Sequence, residues 1–271
     1  MESSQRIAHR FAHCRSQGRP ALVAYLTAGD PSPDLTPELA LALERGGADI
    51  LELGVPFSDP IADGPVIQRA SDRALRAGTN VARVLEIAAR IREHSQMPIL
   101  LFSYMNPLLR YGFDRLGEEA ARIGIDGILL TDLSVEEAAG PVAQFRRHGL
   151  DTVFLAAPTS TERRLKLVGD YSSGFVYVVS RTGVTGEQNS VAASVGPLVE
   201  KLRGLTSLPI AVGFGVSKAE HVRAIGEYAD GAIVGSALMR VVEEHGAAPD
   251  LPARLEAFAR QLTAPAQGAA Q

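Results

Sequence analysis

The chain alternates short apolar runs with longer amphipathic stretches along most of its length. The apolar runs begin near Ala21, Asp49, Pro98, Asp126, Asp151, Gly174, Leu208 and Asp230. Each run is apolar throughout and lacks the strict alternation of polar and apolar residues that marks a strand with one solvated face. Runs of this kind are typical of parallel strands that are buried on both faces.

The stretches between the runs have the periodicity of helices. In residues 81–94 and 135–148, leucine, isoleucine and alanine recur at i, i+3 and i+4. Gly47, Gly124 and Gly149 each precede a strand by a few residues, where glycine suits a left-handed helix C-cap. Eight β/α units in a chain of this length predict a TIM barrel, which typically has about 250 residues. The alternative is a doubly wound open sheet, which usually has fewer strands, and no G-x-G-x-x-G follows the first strand.

Two stretches are additional to the eight β/α units. Residues 2–17 are amphipathic and precede the first strand, which predicts an extra helix across the bottom of the barrel. Residues 236–245 follow the eighth strand and predict a short additional helix before the last one. We expect a single TIM-barrel domain over residues 1–262. Residues 263–271 are rich in alanine, glutamine, glycine and proline, which predicts a disordered tail.

Composition narrows the class of protein. The net charge of −4 gives no sign of a nucleic-acid-binding surface. Cys14 is the single cysteine, so an intrachain disulfide is excluded, and its helical spacing from Ile7 and Phe11 predicts a packed side chain. The sequence has neither the apolar core of a signal peptide nor a run of 18 apolar residues. These features predict a cytoplasmic protein.

Glycines at the ends of the last strands indicate a phosphate site. In TIM barrels the loops after strands 7 and 8, together with a short extra helix, often bind phosphate. Here Gly213 and Gly215 follow strand 7, while Gly235 and Ser236 open the extra helix. Glycine allows close approach of the backbone to an anion, and a helix N-terminus supplies N–H donors. A third glycine-rich segment, residues 181–189, follows strand 6 and predicts a closing lid.

Carboxylates are the groups left to carry the chemistry. The three lysines, Lys166, Lys201 and Lys218, lie in predicted helices or at a helix start, so a Schiff-base mechanism is not expected. The six histidines fall on helices or just after them without metal-ligand spacing, so no metal is expected. Glu52 lies on strand 2 between two leucines, and Asp63 lies on the loop that follows. A carboxyl group among apolar residues tends to have a raised pKa and can donate a proton near neutrality, whereas a more hydrated aspartate stays ionised.

The segment that carries these acids has a recognisable sequence. Residues 52–68 read ELGVPFSDPIADGPVIQ, which closely resembles the signature of tryptophan synthase alpha subunits. Further similar blocks follow that family's order and read LTAGDP (26–31), SYMNP (103–107), SRTGVTG (180–186), GFG (213–215) and GS (235–236). Together they span roughly residues 20–240. The segment after strand 5 departs from the pattern, because Ala157-Pro158 stands where a proline pair is expected.

The resemblance implies an enzyme. The family is a TIM barrel that cleaves indole-3-glycerol phosphate to indole and glyceraldehyde 3-phosphate, with no cofactor. Glu52 and Asp63 match its catalytic acids, and Tyr177 matches the tyrosine near them. The phosphate-site segments correspond to Gly186, Gly213, Phe214, Gly215, Gly235 and Ser236, and the indole-pocket positions to Tyr25, Phe102, Thr131 and Leu155. Thr185 is expected to hydrogen-bond Asp63 from the closed lid.

The same resemblance implies a partner. The partner is the tryptophan synthase beta subunit, a pyridoxal-phosphate enzyme, in an alpha2-beta2 complex. Residues 56–60 and 104–108, interpreted as loops after adjacent strands, are the predicted docking surface. Three alternatives stay open from the sequence: a stand-alone lyase that releases indole, another phosphate-sugar barrel enzyme such as an isomerase, and a non-catalytic regulatory barrel subunit.

Overall fold

Eight parallel strands close into a barrel in their sequence order. The computed structural model describes residues 5–179, 188–213 and 215–264. The strands are β1 Ala21–Thr27, β2 Ile50–Gly54, β3 Ile99–Ser103, β4 Gly127–Leu130, β5 Asp151–Ala156, β6 Val176–Val179, β7 Ile210–Gly213 and β8 Gly231–Val234. Because β8 pairs with β1, the sheet has no edge strand. The predicted TIM barrel is confirmed, and the open doubly wound alternative is wrong.

Helices surround the barrel in the described part of the chain. They are α1 Arg6–Ser16, α2 Thr36–Arg45, α3 Pro65–Arg76, α4 Val81–Arg92, α5 Met105–Tyr111, α6 Phe113–Ile123, α7 Ala139–Arg147, α8 Glu162–Tyr171, α9 Gln188–Arg203, α10 Ala219–Gly226, α11 Ser236–His245 and α12 Leu251–Thr263. The two extra helices predicted from the sequence are α1 and α11, and both are present. None of the helices over the described ranges is long and apolar enough to span a membrane.

Two segments differ from the sequence interpretation because of proline. The helix predicted over residues 135–148 is a 3-10 turn, Val135–Glu137, followed by α7. Pro141 has no N–H to donate, so it fits the first turn of α7 and not the interior of a longer helix. Residues 104–108 are not a loop, since α5 begins at Met105 with Pro107 in its first turn. The Asp132 carboxylate accepts a hydrogen bond from the Met105 N–H at 2.7 Å and caps this helix.

The starts of the strands are fixed by glycines and buried acids. Gly47, Gly124 and Gly149 have φ values of +98°, +92° and +74°, the left-handed conformation predicted for them. The carboxylate of Asp49, which follows the first of these glycines, accepts a hydrogen bond from the Leu22 N–H at 2.9 Å. These contacts set the register at the amino-terminal face of the barrel.

Successive layers of inward-facing side chains fill the barrel. A buried apolar layer of strand residues, namely Val23, Ile50, Leu100, Leu129, Val153, Phe175, Ala211 and Ile233, packs toward the side chains of α1. Since side chains alternate along a strand, the residue two positions later also points inward. That next layer consists of Tyr25, Glu52, Phe102, Thr131, Leu155, Tyr177, Gly213 and Gly235. The second layer therefore contains eight of the candidate site residues, six on the strands and two, Thr131 and Gly235, directly after β4 and β8.

The predicted tail is only partly within the described chain. Helix α12 continues to Thr263, and the Thr263 hydroxyl lies 3.3 Å from the Gly46 carbonyl oxygen. Residues 265–271 lie outside the described residues, so the disordered tail stays a prediction.

Candidate active site

A cavity of about 400 Å³ opens at the carboxyl ends of the strands. Its floor is the second inward layer described above, and the loops after β2, β7 and β8 form its walls. This is the face at which TIM-barrel active sites are built. The cavity is also within the size range of small-molecule sites.

Glu52 lies on the floor of the cavity in an apolar setting. It is 1% exposed, and it pairs in register with Tyr25 of β1 and Leu100 of β3. Neither of its carboxyl oxygens has a hydrogen-bond partner among the described residues. Burial raises the pKa of Glu52 from 4.5 to about 8. The carboxyl group is therefore mostly protonated at neutral pH and has a proton to donate.

Asp63 lies on the loop between β2 and α3 and faces the same cavity. The Tyr104 hydroxyl donates a hydrogen bond to Asp63 Oδ2 at 3.0 Å and accepts one from the Ala62 N–H at 2.9 Å. Burial raises the pKa of Asp63 to about 6, and the hydrogen bond from Tyr104 opposes that rise. Asp63 is thus mostly ionised at neutral pH, while Glu52 is mostly neutral.

The two tyrosines on the floor lie within electrostatic reach of both acids. Burial raises the pKa of Tyr25 and of Tyr177 well above the usual value, and the charges of Glu52 and Asp63 add to the effect. Both hydroxyl groups therefore stay protonated across the physiological range. The rings of Tyr25 and Phe102 meet edge to face at 5.2 Å, and together with Leu155 they form an apolar wall. That wall suits a planar apolar ring.

The part of the cavity at the ends of β7 and β8 is lined by backbone and small residues. Gly213, Gly215, Gly235 and Ser236 all line it, and α11 begins at Ser236 with its N-terminus toward the cavity. Gly215 has a φ of +49°, a conformation that favours glycine. The free N–H groups of a helix N-terminus and its positive dipole end bind anions. This side of the cavity can therefore hold a phosphate.

Part of the predicted site lies beyond what the structure describes. Thr185, Gly186 and Phe214 are outside the described residues, as are residues 181–187 of the predicted lid. Residues 188 and 189 belong to α9. The lid, and its hydrogen bond to Asp63, stay predictions.

Three further acids, which follow β1, β2 and β4, have structural partners instead. Asp30 is fully buried and forms an ion pair with Arg73 at 2.8 Å. Asp132 caps α5, and the exposed Asp59 accepts a hydrogen bond from the Ser58 hydroxyl. The three lysines all lie on helices or at a helix N-cap. Within the described ranges, no group of three histidine, cysteine or acidic residues could hold a metal ion.

Two residues that shape the site were missed by the sequence reasoning. The sequence predicts Tyr104 for the docking surface only, and in the structure its hydroxyl also donates a hydrogen bond to Asp63. Gly54 is the inward residue after Glu52 on β2, and a Cβ atom there would overlap the Tyr25 hydroxyl. For Tyr104 the sequence does contain a signal, because an aromatic side chain with a polar group follows the end of a strand. The need for glycine at position 54 depends on the ring of a neighbouring strand, which a single sequence does not reveal.

A larger depression of about 580 Å³ lies at the opposite face, where the strands begin. Its arginines are already paired in part, with Arg19 bound to Asp49 at 2.7 Å and Arg203 bound to Asp230 at 3.2 Å. It contains no buried carboxyl group without a partner among the described residues. The smaller cavity with Glu52 and Asp63 is therefore the better candidate for catalysis.

Comparison with known proteins agrees with this geometry. The family model described as "Tryptophan synthase alpha chain" matches residues 11–267. A tryptophan synthase alpha chain from Solibacter usitatus is 62% identical over 257 residues, which are 95% of this chain and 96% of the relative.

Solved structures give the same result. The chain is similar to the crystal structure of tryptophan synthase subunit alpha from Legionella pneumophila, with a TM-score of 0.88 and 35% identity over 95% of this chain and 97% of that one. A chain of the tryptophan synthase a2b2 complex from Pyrococcus furiosus matches with a TM-score of 0.84 and 40% identity, over 90% of this chain and 98% of that one. The barrel, its paired acids and these matches lead to one conclusion: the chain belongs to the tryptophan synthase alpha chain family.

Proposed function

We propose that Glu52 transfers the protons and Asp63 supplies a stabilising negative charge in the reaction by which this chain, like its family, cleaves indole-3-glycerol phosphate to indole and glyceraldehyde 3-phosphate. The observation that carries the proposal is the pair of cavity carboxyls in opposite protonation states. Burial puts the pKa of Glu52 at about 8 and that of Asp63 at about 6, so at pH 7 Glu52 is mostly protonated and Asp63 is mostly ionised.

The shape of the cavity supports one orientation of the substrate. The indole ring would lie against Tyr25, Phe102 and Leu155, and the phosphate against the N-terminus of α11. Glu52 lies on the floor of the same cavity, on β2 between the strands that carry Tyr25 and Phe102. The acids would then face the atoms at which bonds change.

The chemistry needs an electron sink, and the indole ring can serve. Glu52 donates its proton to ring carbon C3, which gives an indolenine cation that the Asp63 carboxylate stabilises at the ring N–H. The carboxylate left on Glu52 then takes the proton of the hydroxyl on the adjacent side-chain carbon. The bond between C3 and that carbon breaks, its electron pair returns to the ring, and the carbon becomes the aldehyde of glyceraldehyde 3-phosphate. Glu52 ends protonated, so the cycle closes.

Tyr177 has a supporting role in this proposal. Its hydroxyl stays neutral beside the two acids, so it can hydrogen-bond the side-chain hydroxyl of the substrate without competing for its proton. It also bounds the phosphate side, since a Cβ on Gly213 would lie 2.7 Å from the Tyr177 hydroxyl oxygen.

Release of indole from indole-3-glycerol phosphate by the purified chain tests the proposal. We expect Glu52→Gln and Asp63→Asn each to lower turnover at least a hundredfold, the range of general acid–base catalysis, while the circular dichroism spectrum is unchanged. Asp59→Asn, on the same loop but exposed and outside the cavity lining, is the matched control and should retain activity. A Glu52→Gln variant with half the wild-type rate would contradict the role of Glu52, and a chain that releases no indole would favour a regulatory subunit.

The proposed partner is a tryptophan synthase beta subunit in an alpha2-beta2 assembly, as in the tryptophan synthase a2b2 complex from Pyrococcus furiosus. Two large apolar side chains are exposed at the mouth of the barrel, Ile61 on the loop that carries Asp63 and Leu109 on α5. Exposed apolar side chains on one face are typical of a docking surface.

The proposed cytoplasmic location follows from the sequence features and is tested by fractionating cells that express the chain.

A further inference from the structure

Arg240 is a basic side chain at the phosphate side of the cavity. It lies one turn into α11 and lines the cavity together with Gly235, Ser236 and Ala237. The described lining residues carry one positive side chain, Arg240, and two acids, Glu52 and Asp63. Positive charge from side chains is therefore confined, within that lining, to the end where the helix begins.

The position of Arg240 on the helix points its side chain toward the phosphate site. Residues of an α-helix rise 1.5 Å each, so the Cα of Arg240 is about 6 Å along the axis from that of Ser236. Long side chains on a helix lean back toward its N-terminus and cover the preceding turn. The guanidinium group can therefore reach back over the N–H groups of Ser236 and Ala237.

Arg240 is exposed and makes no ion pair or hydrogen bond with another described residue. Two acids lie one turn further along α11. Glu243 binds Arg69 at 2.6 Å and Arg73 at 2.9 Å, and Glu244 forms no ion pair with Arg240. The guanidinium is thus available to a ligand.

The charge of the ligand calls for such a group. A phosphate monoester carries roughly −1.5 to −2 at pH 7, whereas a helix N-terminus is equivalent to about +0.5. The Asp63 carboxylate in the same cavity adds further negative charge. An arginine fork matches the geometry of phosphate and can form two parallel hydrogen bonds with it.

We infer that Arg240 binds the phosphate of the substrate and sets the preference for a phosphorylated side chain. The inference rests on the proposed function and adds a side-chain contact to a site otherwise made of backbone N–H groups. Arg240 is a binding residue and takes no part in the proton transfers, so its loss should weaken binding and spare the chemical step.

The experiment compares the full-length wild type with Arg240→Gln, Arg240→Lys and a control, Arg122→Gln. Arg122 is an exposed arginine at the end of α6 that makes no ion pair with a described residue and does not line the cavity. The readouts are KM and kcat for indole-3-glycerol phosphate, and the Kd for glycerol 3-phosphate by calorimetry, which needs no turnover. We expect Arg240→Gln to raise KM and Kd about tenfold, as for loss of one charged hydrogen bond, with kcat within about twofold. The lysine variant should recover most of the affinity and the control should match wild type.

The outcomes separate this inference from the proposed function. If the wild type cleaves the substrate and Arg240→Gln binds glycerol 3-phosphate equally well, the Arg240 inference is wrong and the function stands. If the wild type binds the phosphate ester through Arg240 but releases no indole, the function fails and the binding role stands. A wild type that binds no phosphate ester overturns both.

Discussion

At the scale of single residues, Glu52 is held where its charge is unfavourable. Both oxygens lack a partner among the described residues, and burial raises its pKa from 4.5 to about 8. Because the pKa of Glu52 is higher in the folded chain than in the unfolded chain, the folded chain holds one more proton at any pH between about 4.5 and about 8. Stability therefore falls as pH rises through that window, because ionising Glu52 is harder in the fold than in the unfolded chain.

The first prediction follows from this loss of stability with rising pH. Glu52→Gln should lose activity yet become more stable relative to wild type as pH rises from 5 to 9, by on the order of a few kcal/mol. Urea midpoints at the two pH values measure the change, and comparing them cancels the constant cost of burying the amide. Glu118→Gln, an exposed site on α6, is the control and should show no such gain. A pH-independent difference would mean that folding does not raise the pKa of Glu52.

The second prediction concerns the pH profile and Tyr104. If Glu52 must be protonated and Asp63 ionised, kcat/KM falls above about pH 8 and below about pH 6. The hydrogen bond from Tyr104 lowers the pKa of Asp63, so Tyr104→Phe should move the acidic limb to higher pH and leave the basic limb in place. Tyr111→Phe removes a hydroxyl bound to Glu119 away from the cavity and is the control. An unmoved acidic limb in Tyr104→Phe would show that Asp63 does not govern it.

At the scale of elements, the sequence predicts strands and helices best where a hydrophobic pattern is bounded by residues that end a helix or a strand. Every strand begins within two residues of its predicted start, because each is an apolar run between helical stretches. The candidate floor residues lie on the strands or directly after them, since inward positions repeat every second residue. Helix α5 was missed because residues 104–108 contain a proline, and a cap supplied by Asp132 from the next strand's loop is not visible locally. Contacts between distant elements, such as Gly54 with Tyr25, depend on register across the barrel.

The third prediction concerns a charge network that joins α3 to α11. Arg73 of α3 binds the fully buried Asp30 through two hydrogen bonds of 2.8 Å and also reaches Glu243 of α11. Arg73→Met would leave Asp30 buried without its partner, so we expect a loss of about 3 kcal/mol in the free energy of unfolding. Arg76→Met on the same helix breaks an exposed pair with Asp72 and should cost under about 0.5 kcal/mol. If an Asp30→Asn, Arg73→Met double variant regains much of the lost stability, the unpaired charge of Asp30 is the cause of the loss.

At the scale of the whole molecule, one face of the barrel stabilises the fold and the other carries the candidate active site. Its amino-terminal face is closed by α1 and by buried acids at the strand starts, while its carboxyl-terminal face carries the cavity. The proposed docking surface lies at this second face, where indole would leave. The rings of Phe57 and Tyr104 contact each other at 5.2 Å, and the Tyr104 hydroxyl binds Asp63. A partner that contacts this surface is thus one side chain away from Asp63, the carboxylate proposed to stabilise the indolenine cation.

The last prediction is that docking raises activity through this surface. Leu109 is 56% exposed on α5, outside the cavity lining, so Leu109→Asp should leave the activity of the isolated chain unchanged. A buried charge opposes association, so the variant should bind the beta subunit at least tenfold more weakly and lose most of the rise in indole-3-glycerol phosphate cleavage on mixing. Leu75→Asp replaces an exposed leucine near the end of α3, 36% exposed, and is the matched control. Titration of each variant with the beta subunit, followed by size-exclusion chromatography and indole release, measures both effects. Equal activation of wild type and Leu109→Asp would move the interface elsewhere, and no activation of either would favour a stand-alone lyase that needs no partner to position Asp63.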